Sequence, residues 1–146
     1  MNTLNRHFSP LVALLFPILT ASCGVKFPAI TQKQPAGSYA TLKTAELFSI
    51  GGVGYAGKPS VEETAFRKLL KQQGQVTKFQ KLLTEATPAG QIYALLGLKL
   101  LDSRAFDAAL PYYKQSKTEI PRMSGCFMFK TTAADIVRQI QNGEVE

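Results

Sequence analysis

One stretch, residues 87–121, constrains the fold more than any other part of the chain. Its apolar half, residues 92–101, carries a single charge, Lys99. A helix that is apolar on nearly all sides must be surrounded by other elements. Thr87 is a good N-cap, and Pro88 suits the first helical position because its missing N–H costs nothing there. We therefore predict a buried central helix that begins at this point.

A second helix should follow after a tight turn near Asp102 and Ser103, either of which can cap it. Pro111 lies inside its pattern and predicts a kink or a restart. The apolar residues recur at the spacing of one buried helical face: Ala105, Phe106, Ala109, Leu110 and Tyr113. The two segments together predict a helical hairpin.

This hairpin, residues 88–121, resembles a tetratricopeptide repeat, a unit of about 34 residues. The positions that match the family pattern are Leu96, Gly97, Phe106, Ala109, Tyr113 and Pro121. The resemblance implies two packed helices that cross at Gly97 with Ala109 facing it, and a protein-binding role. Arg104 departs from the family, which usually has glycine in this turn. A HEAT-like or unrelated helical hairpin is the alternative interpretation.

The N-terminus has the pattern of an export signal. Arg6 precedes a mostly apolar run over residues 8–19, which is too short for an ordinary membrane-spanning helix. The small residues before Cys23 resemble the cleavage site of bacterial lipoproteins. That resemblance implies lipidation of Cys23, although the family prefers leucine at the position of Thr20. Gly24 implies the outer membrane, on its periplasmic face.

Ordinary signal cleavage near Ser22 or Gly24 is the alternative, and it would give a protein secreted to the periplasm. We predict a signal peptide over residues 1–22 and a flexible tether over residues 23–38, because the latter is rich in proline and polar residues. Residues 39–146 should form a single helical domain.

The predicted fold class is mainly α: a small irregular helical bundle or stack of about five helices, with one or two short extended segments. Periodicity does not decide whether residues 41–50 are helix or strand. The run at residues 122–130 should be extended and packed across the helices. Tyr55 should fill the core beside a glycine-rich loop. A last helix should be capped by Thr131 or Thr132 and end at Gly143.

Another helix should open with a capping box formed by Ser60 and Glu63. Glu63 and Arg67 are four residues apart and are expected to form a pair on the solvent side. Gly74 should end this helix, and the next helix should begin near Gln75.

The composition excludes several chemistries. His7 is the only histidine and lies in the predicted signal peptide, so histidine-based catalysis and the usual zinc sites are excluded after cleavage. From Cys23 onward sixteen basic residues face ten acidic ones, a net charge of +6 that suits anionic lipid head groups or acidic proteins. Nucleic acid is not expected as a partner, because the lysines are scattered and the chain is exported. We expect no cofactor and no enzymatic activity.

The two cysteines, Cys23 and Cys126, leave alternatives open. If Cys23 is lipidated, Cys126 is a free thiol, and such a thiol is usually buried and inert or pairs with a partner chain. Without lipidation, a disulfide between the two cysteines becomes available.

Two classes of function remain. The first is a membrane-anchored module that binds an unknown protein partner or supports the cell envelope. Its binding surface would be carried by the hairpin residues Gln91, Tyr93, Leu98, Tyr112 and Tyr113.

The second class is a soluble periplasmic ligand-binding protein or small enzyme that uses the loop at residues 51–60. A pocket in which Lys58 and Glu63 converge would favour it. Residues 52–58 have the spacing of a phosphate-binding loop, but Pro59 stands where magnesium would need a hydroxyl. Nucleotide binding is therefore not expected.

Overall fold

The computed structural model describes residues 37–145, which form six helices and a two-stranded sheet. The predicted signal peptide, Cys23 and almost all of the predicted tether lie outside these residues. The mainly helical fold class is confirmed. The helices and strands are α1 (Ser38–Lys43), α2 (Val61–Leu70), α3 (Gln75–Glu85), α4 (Pro88–Leu101), α5 (Ser103–Tyr113), β1 (Glu119–Ser124), β2 (Phe127–Thr132) and α6 (Ala133–Asn142).

Helix α4 is the centre of the core, as its apolar sequence predicts. Every residue from Ile92 to Leu98 is buried. The helix contacts all five other helices and β1, and its most extensive packing is against α3. Within residues 37–145, no helix is both long enough and apolar enough to cross a membrane.

The closest neighbour of Gly97 is not Ala109, the partner that the sequence predicts, but a side chain of α3. A Cβ built on Gly97 would lie 2.7 Å from the ring of Phe79, and its three nearest neighbours are all atoms of that ring. Phe79 is fully buried and its ring contacts that of Phe66 at 5.8 Å between centroids. The small residue therefore serves a helix–ring contact, and the tetratricopeptide-like hairpin stays a prediction.

Local capping follows the predictions closely. The Oγ1 atom of Thr87 accepts from the N–H of Gly90 at 3.3 Å, and Asp102 caps α5 by accepting from the N–H of Ala105 at 3.1 Å. Thr132 caps α6, and Gly143 ends it in the left-handed conformation. These contacts fix the termini of the helices because each one satisfies an N–H or C=O group that the helix leaves free.

Helix α5 shows how an internal proline can be tolerated. The predicted kink or restart at Pro111 does not divide the helix, which continues to Tyr113. The missing bond is the one to the carbonyl of Asp107. Because Asp107 is exposed, water can take the place of that donor.

Helix α2 begins as predicted, but its residue Glu63 is buried and does not lie on the solvent side. Ser60 accepts from the N–H of Glu63 at 3.0 Å, which confirms the cap. The prediction of a solvent-side pair is wrong for Glu63, since only 1% of this residue is exposed. One carboxylate oxygen accepts from Arg67 at 2.7 Å, and the other has no partner within residues 37–145. Gly74 is the left-handed N-cap of α3, and α2 itself ends at Leu70.

Residues 41–50 turn out to be mixed, which neither predicted alternative describes. Helix α1 ends at Lys43, and the chain then becomes extended. The N–H of Phe48 donates to the carbonyl of Pro121 at 2.9 Å, and the N–H of Met123 donates back to Phe48 at 3.2 Å. This segment therefore attaches β1 to the helices.

Strands β1 and β2 form an antiparallel hairpin in which Glu119 pairs with Thr132 and Ser124 with Phe127. Only its base belongs to the core, through the buried Ile120. Residues 124–130 are exposed, so the prediction that this run packs across the helices is wrong for the turn end. The expected burial of Tyr55 is also wrong, because its side chain is fully exposed.

Candidate partner-binding groove

The predicted partner-binding residues separate into two groups. Tyr93 and Leu98 are fully buried, so their predicted place on a binding surface is wrong. The hydroxyl of Tyr93 accepts from the N–H of Ser49 at 3.0 Å and donates to its carbonyl at 2.8 Å. Because α4 is surrounded over residues 92–98, it has no outward face there from which these side chains could reach a partner.

The remaining predicted residues, Gln91, Tyr112 and Tyr113, come together where the start of α4 meets the end of α5. The hydroxyl of Tyr113 lies 3.1 Å from Oε1 of Gln91. The amide nitrogen of Gln91 donates to the carbonyl of Ala86 at 3.0 Å. Both groups of the Gln91 amide are thereby engaged, which holds the side chain in one orientation.

Tyr112 differs from its neighbour in exposure. Its side chain is 80% exposed, whereas Tyr113 is 5% exposed. The two rings meet edge to face, with centroids 5.0 Å apart and planes at 79°. This arrangement is favourable for aromatic pairs, so the buried ring of Tyr113 stabilises the position of the exposed ring of Tyr112. Tyr112 is therefore a large exposed apolar side chain on a fixed base.

A groove lies on each side of Tyr112, and we call the two together the tyrosine groove. The larger has a volume of about 590 Å³ and reaches the segment before β1, with Pro88, Pro111, Gln115, Ser116 and Thr118 in its walls. The smaller, of about 470 Å³, reaches α3 through Leu83 and Thr84. Gln91, Tyr112 and Tyr113 line both grooves.

The lining of the tyrosine groove carries no charged side chain. Burial, and to a lesser degree the neighbouring Tyr112, raise the pKa of Tyr113 to about 12, so its phenol is neutral at physiological pH. No cluster of three or more histidine, cysteine or carboxylate side chains suited to a metal is found within residues 37–145. The groove offers hydroxyl, amide and aromatic contacts.

Several groove residues were not identified from the sequence. Ser116 and Thr118 come from the link into β1, and Leu83 and Thr84 come from α3. They meet Tyr112 only through long-range packing, for which a single sequence carries no local signal. The one local feature in the sequence that points to this groove is Pro111 followed directly by two tyrosines.

Three backbone N–H groups of the glycine-rich loop already donate to carbonyl groups of the protein. The N–H of Val53 donates to Lys58 at 2.9 Å, that of Gly54 to Gly125 at 2.8 Å, and that of Gly57 to Gly54 at 3.2 Å. These three N–H groups therefore do not form a phosphate cradle in this conformation. Of the grooves described here, one of about 250 Å³ touches the loop, through Pro59, and neither Lys58 nor Glu63 lines it.

Cys126 lies at the turn between β1 and β2 as a free and exposed cysteine. Of the alternatives left open by the sequence, burial of this thiol is therefore excluded. A disulfide with Cys23 concerns a residue outside the described range and stays a prediction.

Comparison with known proteins yields no relative: no family model, no curated protein and no solved structure matches this chain.

Proposed function

We propose that this chain is an exported, lipid-anchored protein of the cell envelope that binds a partner protein through the tyrosine groove. Cys23 carries the lipid, and the predicted tether over residues 23–38 separates the helical part from the membrane. The N-terminal pattern supports the anchor, since a short apolar run ends in small residues before a cysteine.

The observation that carries the binding role is the exposure of Tyr112 between two uncharged grooves. Tyrosine is enriched at protein interfaces and at their energetic hot spots, because it presents a large ring with little conformational entropy to lose. Here Tyr113 and Gln91 hold the base of the site in one arrangement. A partner would meet a preorganised anchor, which lowers the entropic cost of binding.

The groove also indicates the chemistry of its partner. Its walls are uncharged and combine hydroxyl and amide groups with proline and tyrosine rings. A charged side chain would lose hydration there without gaining a counter-ion. We therefore propose an uncharged polar segment of a partner protein, with an apolar side chain that packs on Tyr112.

Site-specific photo-crosslinking in intact cells tests this proposal. A photoreactive phenylalanine analogue replaces Tyr112 in one variant and Gln73 in a control variant. Gln73 is exposed and lies between α2 and α3, outside the groove lining. We expect a discrete adduct with one envelope protein from position 112 and none from position 73. No adduct from position 112, or the same adduct from both positions, would contradict the proposal.

A further inference from the structure

A second exposed apolar surface lies away from the tyrosine groove, and two separate segments of the chain build it. Tyr55 is fully exposed, Phe127 is 78% exposed and Met128 is 67% exposed. Phe129 is 43% exposed. We call Tyr55 and Phe127–Met128–Phe129 together the aromatic tip. Several large apolar side chains exposed within two joined segments of a chain point to an interaction site.

The two segments of the tip are joined by backbone contacts. Gly54 donates to the carbonyl of Gly125 at 2.8 Å, and Val53 forms a parallel bridge with Gly125. Gly54 and Gly125 both have positive φ, a conformation that glycine adopts without steric cost. The glycine loop thereby braces the hairpin turn and presents Tyr55 together with the residues of β2.

The tip is apolar on both faces of the hairpin. Successive residues of a strand point to opposite faces, so Phe127 and Met128 lie on opposite sides of β2. Both side chains are mainly exposed. A folded protein docking on one face would leave the other apolar side chain in water. A lipid surface surrounds an inserted tip and covers both.

The charges around the tip complement an anionic surface. Within residues 47–61 and 120–134 the charged residues are Lys58, Arg122 and Lys130, and the acidic residues Glu46, Glu62, Glu119 and Asp135 flank these stretches. Glu119, the acidic residue of the hairpin, forms an ion pair with Lys130 at 3.2 Å. Glu119 lies opposite Thr132 in the strand pairing, at the base of the hairpin. Arg122 lies over the rings of Phe48 and Phe129, at 5.8 and 5.9 Å from their centroids. Apolar side chains next to cations are the features that bind an anionic lipid interface.

We propose that the aromatic tip inserts into the headgroup region of an anionic phospholipid membrane. The tip would act as a second membrane contact that orients the helical part; its role as a second contact rests on the proposed lipid anchor at Cys23.

The full chain carrying Cys23→Ser tests the tip independently of the anchor, because Cys126 is then the only thiol. An environment-sensitive fluorophore on Cys126 is monitored with vesicles of phosphatidylglycerol and phosphatidylcholine. We expect a blue shift and quenching by brominated lipid. Changing Phe127 and Met128 together to serine should abolish both signals. A fluorophore on Gln73→Cys, in a chain that also carries Cys126→Ser, should remain in water.

Three results would overturn the proposal. The fluorophore at Cys126 could stay in water, respond equally to vesicles of phosphatidylcholine alone, or respond to protein concentration without vesicles, as in self-association. If the tip does not insert into vesicles, the proposed binding at Tyr112 and the proposed lipid on Cys23 are still tested by their own experiments. Failure of the lipid anchor leaves the vesicle measurement unaffected, since the test chain lacks that cysteine.

Discussion

Replacing Gly97 with alanine tests the packing of the central helix most sharply. Helix propensity alone predicts a gain of up to about 1 kcal/mol. The structure opposes that gain, since the new Cβ would lie 2.7–2.8 Å from three ring atoms of Phe79. Carbon atoms prefer a separation of about 3.5–4.0 Å, so ring or helix must move by about 1 Å. Phe79 is fully buried, which leaves the ring little room to yield.

Overpacking of a core costs about 1–3 kcal/mol, so Gly97→Ala should be destabilised by roughly 1 kcal/mol after the propensity gain. Thermal unfolding of the full chain measures this loss. Ala108→Gly, at an exposed site of α5, calibrates the effect of propensity alone. A Gly97→Ala protein more stable than the wild type would refute the reasoning.

A double-mutant cycle then identifies the neighbour of Gly97. Phe79→Leu should remove part of the steric clash caused by alanine at position 97. The coupling energy between the two substitutions should be at least about 0.5 kcal/mol. The same cycle with Ala109→Gly should show a smaller coupling, because the atoms nearest to Gly97 belong to Phe79. Stronger coupling to Ala109 would restore the helix crossing that the repeat resemblance implies.

Three further predictions address the anchor, the groove and the buried carboxylate. Metabolic labelling with a fatty acid should mark the wild type and not Cys23→Ala; equal labelling of both, or labelling of neither, would remove the lipid anchor. Because the pKa of Tyr113 is raised to about 12, its neutral phenol stabilises the fold fully below pH 10, and this contribution should be lost as the pH rises from about 10 to 12. Tyr113→Phe should lack that loss and the corresponding phenolate absorbance step, and a step unchanged in the variant would contradict the assignment. Arg67→Ala should cost up to about 3 kcal/mol by leaving Glu63 buried without its counter-charge, whereas Glu63→Leu should cost less; equal losses in thermal melts would show that the unpaired charge is not the cause.

The local features of this fold could be predicted from the sequence because each depends on a few adjacent residues. The caps at Thr87, Asp102, Ser60 and Thr132 are of this kind, and each accepts the backbone N–H expected of it. Gly143 as a left-handed helix end belongs with them. Such contacts are decided within a single turn of the chain.

There is a physical reason why the sequence does not show which side chains of α4 are buried. Periodicity identifies a buried side only where polar residues mark the opposite one, and residues 92–98 offer no such contrast. The sequence therefore does not reveal that Tyr93 and Leu98 lie in the core. The burial of Glu63 and the exposure of Tyr55 depend on long-range packing and have no local signal either.

The binding affinity of the partner captured at position 112 tests the central claim most directly. The partner is purified and titrated against the wild-type chain, Tyr112→Ala and Gln73→Ala. Loss of a hot-spot side chain costs about 2 kcal/mol or more, so Tyr112→Ala should weaken the Kd by roughly 30-fold, while Gln73→Ala should bind as the wild type does. Tyr112 is exposed, so this substitution should leave the melting temperature nearly unchanged and separate binding from stability. Equal affinities for the wild type and Tyr112→Ala would contradict the tyrosine groove as the partner-binding surface.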